Sequence, residues 1–290
     1  MGSRGRYSIV GGAMLLLALP LARSWAAPQD GKLDERLTNI ELCNGADRKS
    51  PESQIKGCTW LINGTHETAL ILATAHNNRG NAYSEISDYD RAIEDYDLAI
   101  KFNPGYDKPF NNRGVAYQKK GDYDRAIKDF DEAIKLNPKY GRAFANRAET
   151  YQKKNDFERA AQDYDDAIRL EPNLEAIWNG RCWVRAILGQ LQPALADCNK
   201  ALLIQPKDAA TYDSRGLIHL KMGQFELAIE DYSSALRLDP NDAYSRDNLG
   251  QSLYASGEKA EGVAELQRVL TMGNDLAAKD ARDYLAKHPQ

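Results

Sequence analysis

The stretch NNRGVAYQKKGDYDRAIKDFDEAIKLNP, Asn111 to Pro138, almost restates NNRGNAYSEISDYDRAIEDYDLAIKFNP, Asn77 to Pro104. Proline recurs at Pro104, Pro138, Pro172, Pro206 and Pro240, and arginine at Arg79, Arg113, Arg147, Arg181 and Arg215, each 34 residues after the last. A period of this size marks an array of stacked units, because one unit of that length cannot bury its own apolar face. With Ala73 as position 1, the units run 73–106, 107–140, 141–174, 175–208, 209–242 and 243–276.

Each recurrent residue type has a physical task. Position 8 is small (Gly80, Gly114, Ala148, Cys182, Gly216, Gly250), and so is position 20, from Ala92 to Gly262. Small residues there let two antiparallel helices approach closely. Tyr83, Tyr117 and Tyr151 at position 11, with Tyr96, Phe130, Tyr164 and Tyr232 at position 24, fill the space between them. Gly121, Gly189, Gly223 and Gly257 suit a left-handed stop to a first helix, and Asp88, Asp122 and Asp156 suit the cap of a second. Proline at position 32 cannot continue that second helix.

The pattern NNRG…AY…GDYDRAI.DYD.AI.LNP resembles the tetratricopeptide repeat (TPR), and WNGRCWVRAILGQLQPALADCNKALLIQPKDAATYDSRG, Trp178 to Gly216, is similar to exported alphaproteobacterial members. The resemblance implies an all-α, right-handed α-solenoid of stacked helix–turn–helix units. Residues 27–72 read as a degenerate helical pair capping one end, with Ser50-Pro51 opening its second helix. Residues 277–290 read as a polar-faced capping helix at the other, where Asn274 replaces the unit-ending proline.

The first residues follow another logic. Arg4 and Arg6 precede an apolar run from Ile9 to Ala22 and small residues around Ala26, the layout of a secretory signal peptide over 1–26 cleaved after Ala26. The run is short for a membrane span, and Gly11, Gly12 and Pro20 weaken it further. The expected mature chain is periplasmic or secreted, with no stable membrane anchor. A formal net charge of −4 gives no reason to expect nucleic acid as a partner.

Export changes the reading of the four cysteines. Cys182 and Cys198 occupy positions 8 and 24 of the fourth unit; Cys43 and Cys58 fall at equivalent places in the degenerate pair. Two bridges within hairpins follow from that register. Ideal antiparallel helices would leave the two positions about one turn out of step, so buried free thiols remain the alternative. Neither pair has zinc-ligand spacing, and no metal or cofactor is expected.

An arginine at position 7 and an acid at position 23 (Asp95, Asp129, Asp163, Asp197, Asp231, Glu265) recur together and read as ion pairs between helices. The resemblance implies that first helices line a concave groove, presenting positions 2, 5, 6, 9, 12 and 13. These include Asn77, Asn81, Lys108, Asn111, Asn112, Lys119, Arg142, Asn146 and Lys153, then Trp183, Leu217 and Leu220. Amides suit an extended peptide backbone, cations suit acidic groups, and the apolar set suits hydrophobic anchors. His66, His76, His219 and His288 do not cluster, and the plentiful carboxylates follow the repeat, so an enzyme is not expected. Asn63 to Thr65 forms a glycosylation sequon. The function expected is a protein-binding scaffold. The alternative is a self-associating structural subunit of a cell-envelope assembly.

Overall fold

The computed structural model describes residues 30–45, 50–64 and 67–288. The expected signal peptide at 1–26, Thr65 of the sequon, His66 and the last two residues lie outside the described residues. Fifteen helices and no strand are found among those described. A first hairpin joins α1 (Asp30–Asn44) to α2 (Pro51–Ile62). Six helix pairs follow: α3 (Ala69–Glu85) with α4 (Tyr89–Phe102), α5 (Asp107–Lys119) with α6 (Tyr123–Leu136), α7 (Gly141–Lys153) with α8 (Phe157–Leu170). The next three are α9 (Glu175–Ile187) with α10 (Leu191–Ile204), α11 (Ala209–Lys221) with α12 (Phe225–Leu238), and α13 (Ala243–Ser256) with α14 (Lys259–Val269). One more helix, α15 (Asp275–Lys287), is the last of the described elements.

Local chemistry sets these boundaries. The carboxylates of Asp88, Asp122 and Asp156 accept from the backbone N–H three residues on, capping α4, α6 and α8. Five second helices, α4 to α12, end two residues before the proline of position 32. Thr68 caps α3, so that helix begins one turn earlier than Ala73. Position 15 is left-handed in all six units: Ser87, Gly121, Asn155, Gly189, Gly223 and Gly257 all have positive φ. Glycine takes that conformation without penalty and asparagine tolerates it, whereas serine is strained.

Packing within a pair depends on position 8 having no room. A Cβ on Gly80 would lie 2.7 Å from the Tyr96 ring, and one on Gly114 would lie 2.7 Å from Phe130. Positions 8 and 24 therefore face each other directly. This corrects the one-turn offset expected from ideal helices. The same facing brings Cys182 and Cys198 to a Cα separation of 5.4 Å, bridged between α9 and α10; Cys43 and Cys58, 4.5 Å apart, are bridged between α1 and α2. All four cysteines are buried and none is free. Closing a loop of this size contributes roughly 3 kcal/mol by the chain-entropy account.

Between pairs, each second helix packs on the next first helix, and successive first helices from α3 to α13 touch one another. No Cα of one second helix comes within 8 Å of the next second helix. First helices converge and second helices splay, so the first-helix side is the inner wall. By register α15 is a seventh first helix, since Ala277 falls 34 residues after Ala243; it packs on α13 and α14. No described helix is long and apolar enough to cross a membrane.

The strain at position 15 is testable. Ser87→Gly is expected to stabilise the protein by about 0.5–1 kcal/mol, read as a rise in the denaturation midpoint, whereas Gly223→Ser should lower it.

Candidate functional site

The inner wall is braced by two ladders. The first is ionic. Arg113 Nε and Nη2 donate to the two carboxylate oxygens of Asp129 at 2.8 and 2.6 Å, and Nη1 reaches Asp97 of the preceding unit. Arg147 repeats this with Asp163 and Asp131, Arg181 with Asp197 and Asp165, and Arg215 with Asp231 and Asn199. Arg79, in the first unit, holds Asp95 and Thr59. The expected pairing of positions 7 and 23 is present, and it extends to position 25 of the unit before. One guanidinium thus ties three helices together. Removing one partner would leave a buried charge uncompensated, which fixes geometry more firmly than it adds stability. These arginines are committed to the scaffold.

The second ladder is made of amides. Asn146 Nδ2 donates to Asn111 Oδ1 at 2.9 Å, Asn111 to Asn112 at 3.2 Å, and Asn112 to Asn77 at 3.0 Å. Asn77 then donates to Asn78 at 3.2 Å, and Asn78 to Asn44 at 3.3 Å. Asn112 also donates to Asn81, which accepts the Tyr96 hydroxyl proton. The NN pairs of positions 5 and 6 thus stitch successive first helices along the seam. Asn77 and Asn111 are only 3% and 5% exposed, so their amides hold the wall together. The sequence reading, which offered them to a ligand, did not reveal this second use; the only signal was asparagine recurring at adjacent positions.

The remaining groove candidates divide by exposure. Asn81, Lys108, Lys119, Arg142 and Lys153 are exposed; Asn112, Asn146, Trp183, Leu217 and Leu220 are half-buried. Lys108 and Lys119 have no carboxylate within ion-pair distance among the described residues. Arg142 and Lys153 have only long contacts, 3.8 Å to Glu171 and 3.7 Å to Glu149. Trp183 and Phe157 form an edge-to-face pair with ring centroids 5.8 Å apart, and Trp183 packs one side on the core of the third and fourth units. A recess of about 300 Å³ opens between Asn81, Ser84, Glu85, Tyr96, Asn112 and Val115. No group of three or more potential metal-ligating side chains lies together among the described residues.

Family profiles match along this same array. The tetratricopeptide repeat profile matches residues 73–106, 108–140 and 141–174, and a TPR repeat profile matches 216–257. The chain is a tetratricopeptide repeat protein. Its TPR array superposes on that of a TPR protein from Parabacteroides merdae with a TM-score of 0.64 at 17% identity, covering 86% of this chain and 98% of that one. PilF of Pseudomonas aeruginosa gives 0.63 at 15% identity, covering 74% and 97%. YrrB, described as a TPR protein with an unusual peptide-binding site, gives 0.54 at 20% identity, covering 66% and 96%. At such identities the likeness concerns the fold alone. No curated protein sequence matches this chain.

The polar ladder of this TPR wall fails in its C-terminal half. Asn179 Oδ1 is buried without a partner, because the following unit places Ser214 where Asn112 and Asn146 stand in theirs. The Tyr232 hydroxyl is also unpartnered, because Leu217 replaces the acceptor that Asn81 supplies to Tyr96. At position 5, asparagine gives way to Asp213, which accepts one hydrogen bond, from Ser245 Oγ at 2.8 Å. Burial pushes its carboxyl up to about 6, against the Ser245 hydrogen bond and with help from the Asp242 charge.

A folded chain that binds this proton more tightly than the unfolded chain is most stable below about pH 4 and loses that stability as pH rises through about 6. Asp213→Asn, which restores the residue found at this position in the first, second and fourth units, is expected to add about 1–3 kcal/mol at neutral pH and to flatten the slope across that window. Thermal denaturation at a series of pH values checks both.

Proposed function

We propose that this protein is an exported scaffold that holds an extended segment of a partner protein along its concave wall. TPR arrays are protein-interaction scaffolds, and the family is generally non-catalytic. The observation that carries the reading is the division of labour among cations. The position-7 arginines are consumed by the ion-pair ladder, while Lys108 and Lys119 stand exposed on the first helices with no ion-pair partner among the described residues. Cations left free beside the closed polar seam of the N-terminal half favour an acidic guest. Beyond them, the exposed parts of Trp183, Leu217 and Leu220 offer apolar seats. The guest that fits carries an acidic stretch beside hydrophobic anchors. YrrB, with its peptide-binding site on the same fold, is consistent with this use.

Export rests on the leader-like residues 1–26 and on the resemblance to exported alphaproteobacterial members. Two disulfides with no free cysteine are in keeping with an oxidising compartment.

One observation favours a second reading, self-association through the convex face. The charge that Lys101, Lys135, Arg169 and Arg237 place at position 29 is replaced by Leu203, which is 73% exposed. Mass measured in solution over rising protein concentration separates the readings, since a concave-groove scaffold need not associate.

For the groove itself, an acidic peptide with aromatic or aliphatic anchors is expected to bind more tightly than its lysine-substituted counterpart. The double change Lys108→Glu and Lys119→Glu should weaken that binding by about tenfold or more without loss of helical signal. Equal binding of acidic and basic peptides, measured by fluorescence anisotropy, would sink the proposal.

A further inference from the structure

Every buried acid at position 23 from Asp95 to Asp231 is held by an arginine. Asp247, at position 5 of the sixth unit, is buried to 4% exposure and has no Lys or Arg within ion-pair distance among the described residues. Its Oδ2 accepts one hydrogen bond, from Gln251 Nε2 at 2.7 Å, and its Oδ1 is buried without a partner. The groups facing it offer no relief. α15 brings Asp280 and Tyr284, and α12 brings Tyr232, whose hydroxyl is itself unpartnered. Arg246, on the same helix, is turned away onto Glu265 of α14 at 2.7 Å. On α11, the nearest equivalent group is Asp213, another acid, bonded to Ser245.

The helix that covers Asp247 is the least secured in the array. α15 stands in the register of a first helix, and among the described residues it packs on α13 and α14 alone. It has Asp283 where the repeat places its arginine and Tyr284 where the repeat requires a small residue. It is held by Ala277, Ala278 and Ala281 and by the packing of Tyr284 on Tyr254, while Leu276 is 59% exposed. We propose that α15 is a pH-gated end cap, docked over the sixth unit while Asp247 is protonated and loosened when that carboxyl ionises. A carboxylate there would be desolvated and would face Asp280, and the low-cost escape is for α15 to move aside and admit water. Loosening uncovers Leu266 and Val269, both fully buried under the docked cap. Burial, opposed by the Gln251 hydrogen bond and reinforced by Asp280, sets the carboxyl at about 6, so the transition falls between mildly acidic and neutral conditions.

Hydrogen–deuterium exchange on the full chain, corrected for intrinsic rates, tests this at about pH 5 and about pH 7.5. Amides of 275–287 are expected to lose protection by about tenfold or more on going to the higher pH, while those of 107–119 in α5 hold theirs. Asp247→Asn should keep 275–287 protected at both values. Unchanged protection of 275–287 in the native sequence, or a pH response that survives Asp247→Asn, overturns the proposal. Should that variant not fold, carbon NMR titration of the native chain replaces it. An Asp247 carboxyl midpoint near 6 supports the gate, and one near the ordinary value of about 4 overturns it.

Discussion

The contact on which this array depends is the insertion of a position-24 side chain into a gap that position 8 keeps open. In the first, second and fifth units an aromatic ring fills it, and any added Cβ at Gly80, Gly114 or Gly216 would fall within 3.0 Å of that ring. The third unit has Ala148, and its Tyr164 presses instead on Gly180 of the next unit. The sixth uses Leu266 against Gly250, and the fourth replaces the pair with a disulfide. Volume at the two positions is exchanged, while the separation of the helices is kept. Because each pair has nearly the same spacing, successive pairs can stack in the same register.

From that spacing comes the placement of charge. Once the helices of a pair are close, a guanidinium at position 7 can grip the carboxylate at position 23 with two parallel bonds and still reach position 25 of the unit before. From Arg113 to Arg215 the guanidinium also lies over an aromatic ring one turn earlier, as Arg181 does over Trp178 at 5.0 Å. A guanidinium so enclosed is unavailable to a ligand. The wall's capacity to attract a guest therefore falls to the lysines that lie outside the ladder.

The two halves of the wall differ in kind. In the N-terminal half the amides satisfy one another from Asn146 to Asn44, and the polar seam is closed. In the C-terminal half the three unpartnered buried atoms, on Asn179, Tyr232 and Asp247, follow from single substitutions in the repeat. Buried polar atoms without partners are costly, and here they gather where the wall turns apolar and the array ends.

The amino-acid sequence by itself determined the period, the stops and caps that recur with it, the position of every small residue and the pairing of arginine with acid, though not the start of α3 at Ala69. These are legible because they are local or repeat at a constant offset, so one unit explains the next. It also marked Lys108 and Lys119 as candidates, since an exposed cation needs no neighbour to be recognised. Only the tertiary structure decided that Asn77 and Asn111 brace the wall, that Cys182 faces Cys198 without an offset, and that Asp247 lies buried beneath α15 with no cation beside it. Each of those outcomes depends on which side chains a neighbouring unit places within about 3–5 Å, and that distance is set by how whole helices pack, which no single repeat encodes.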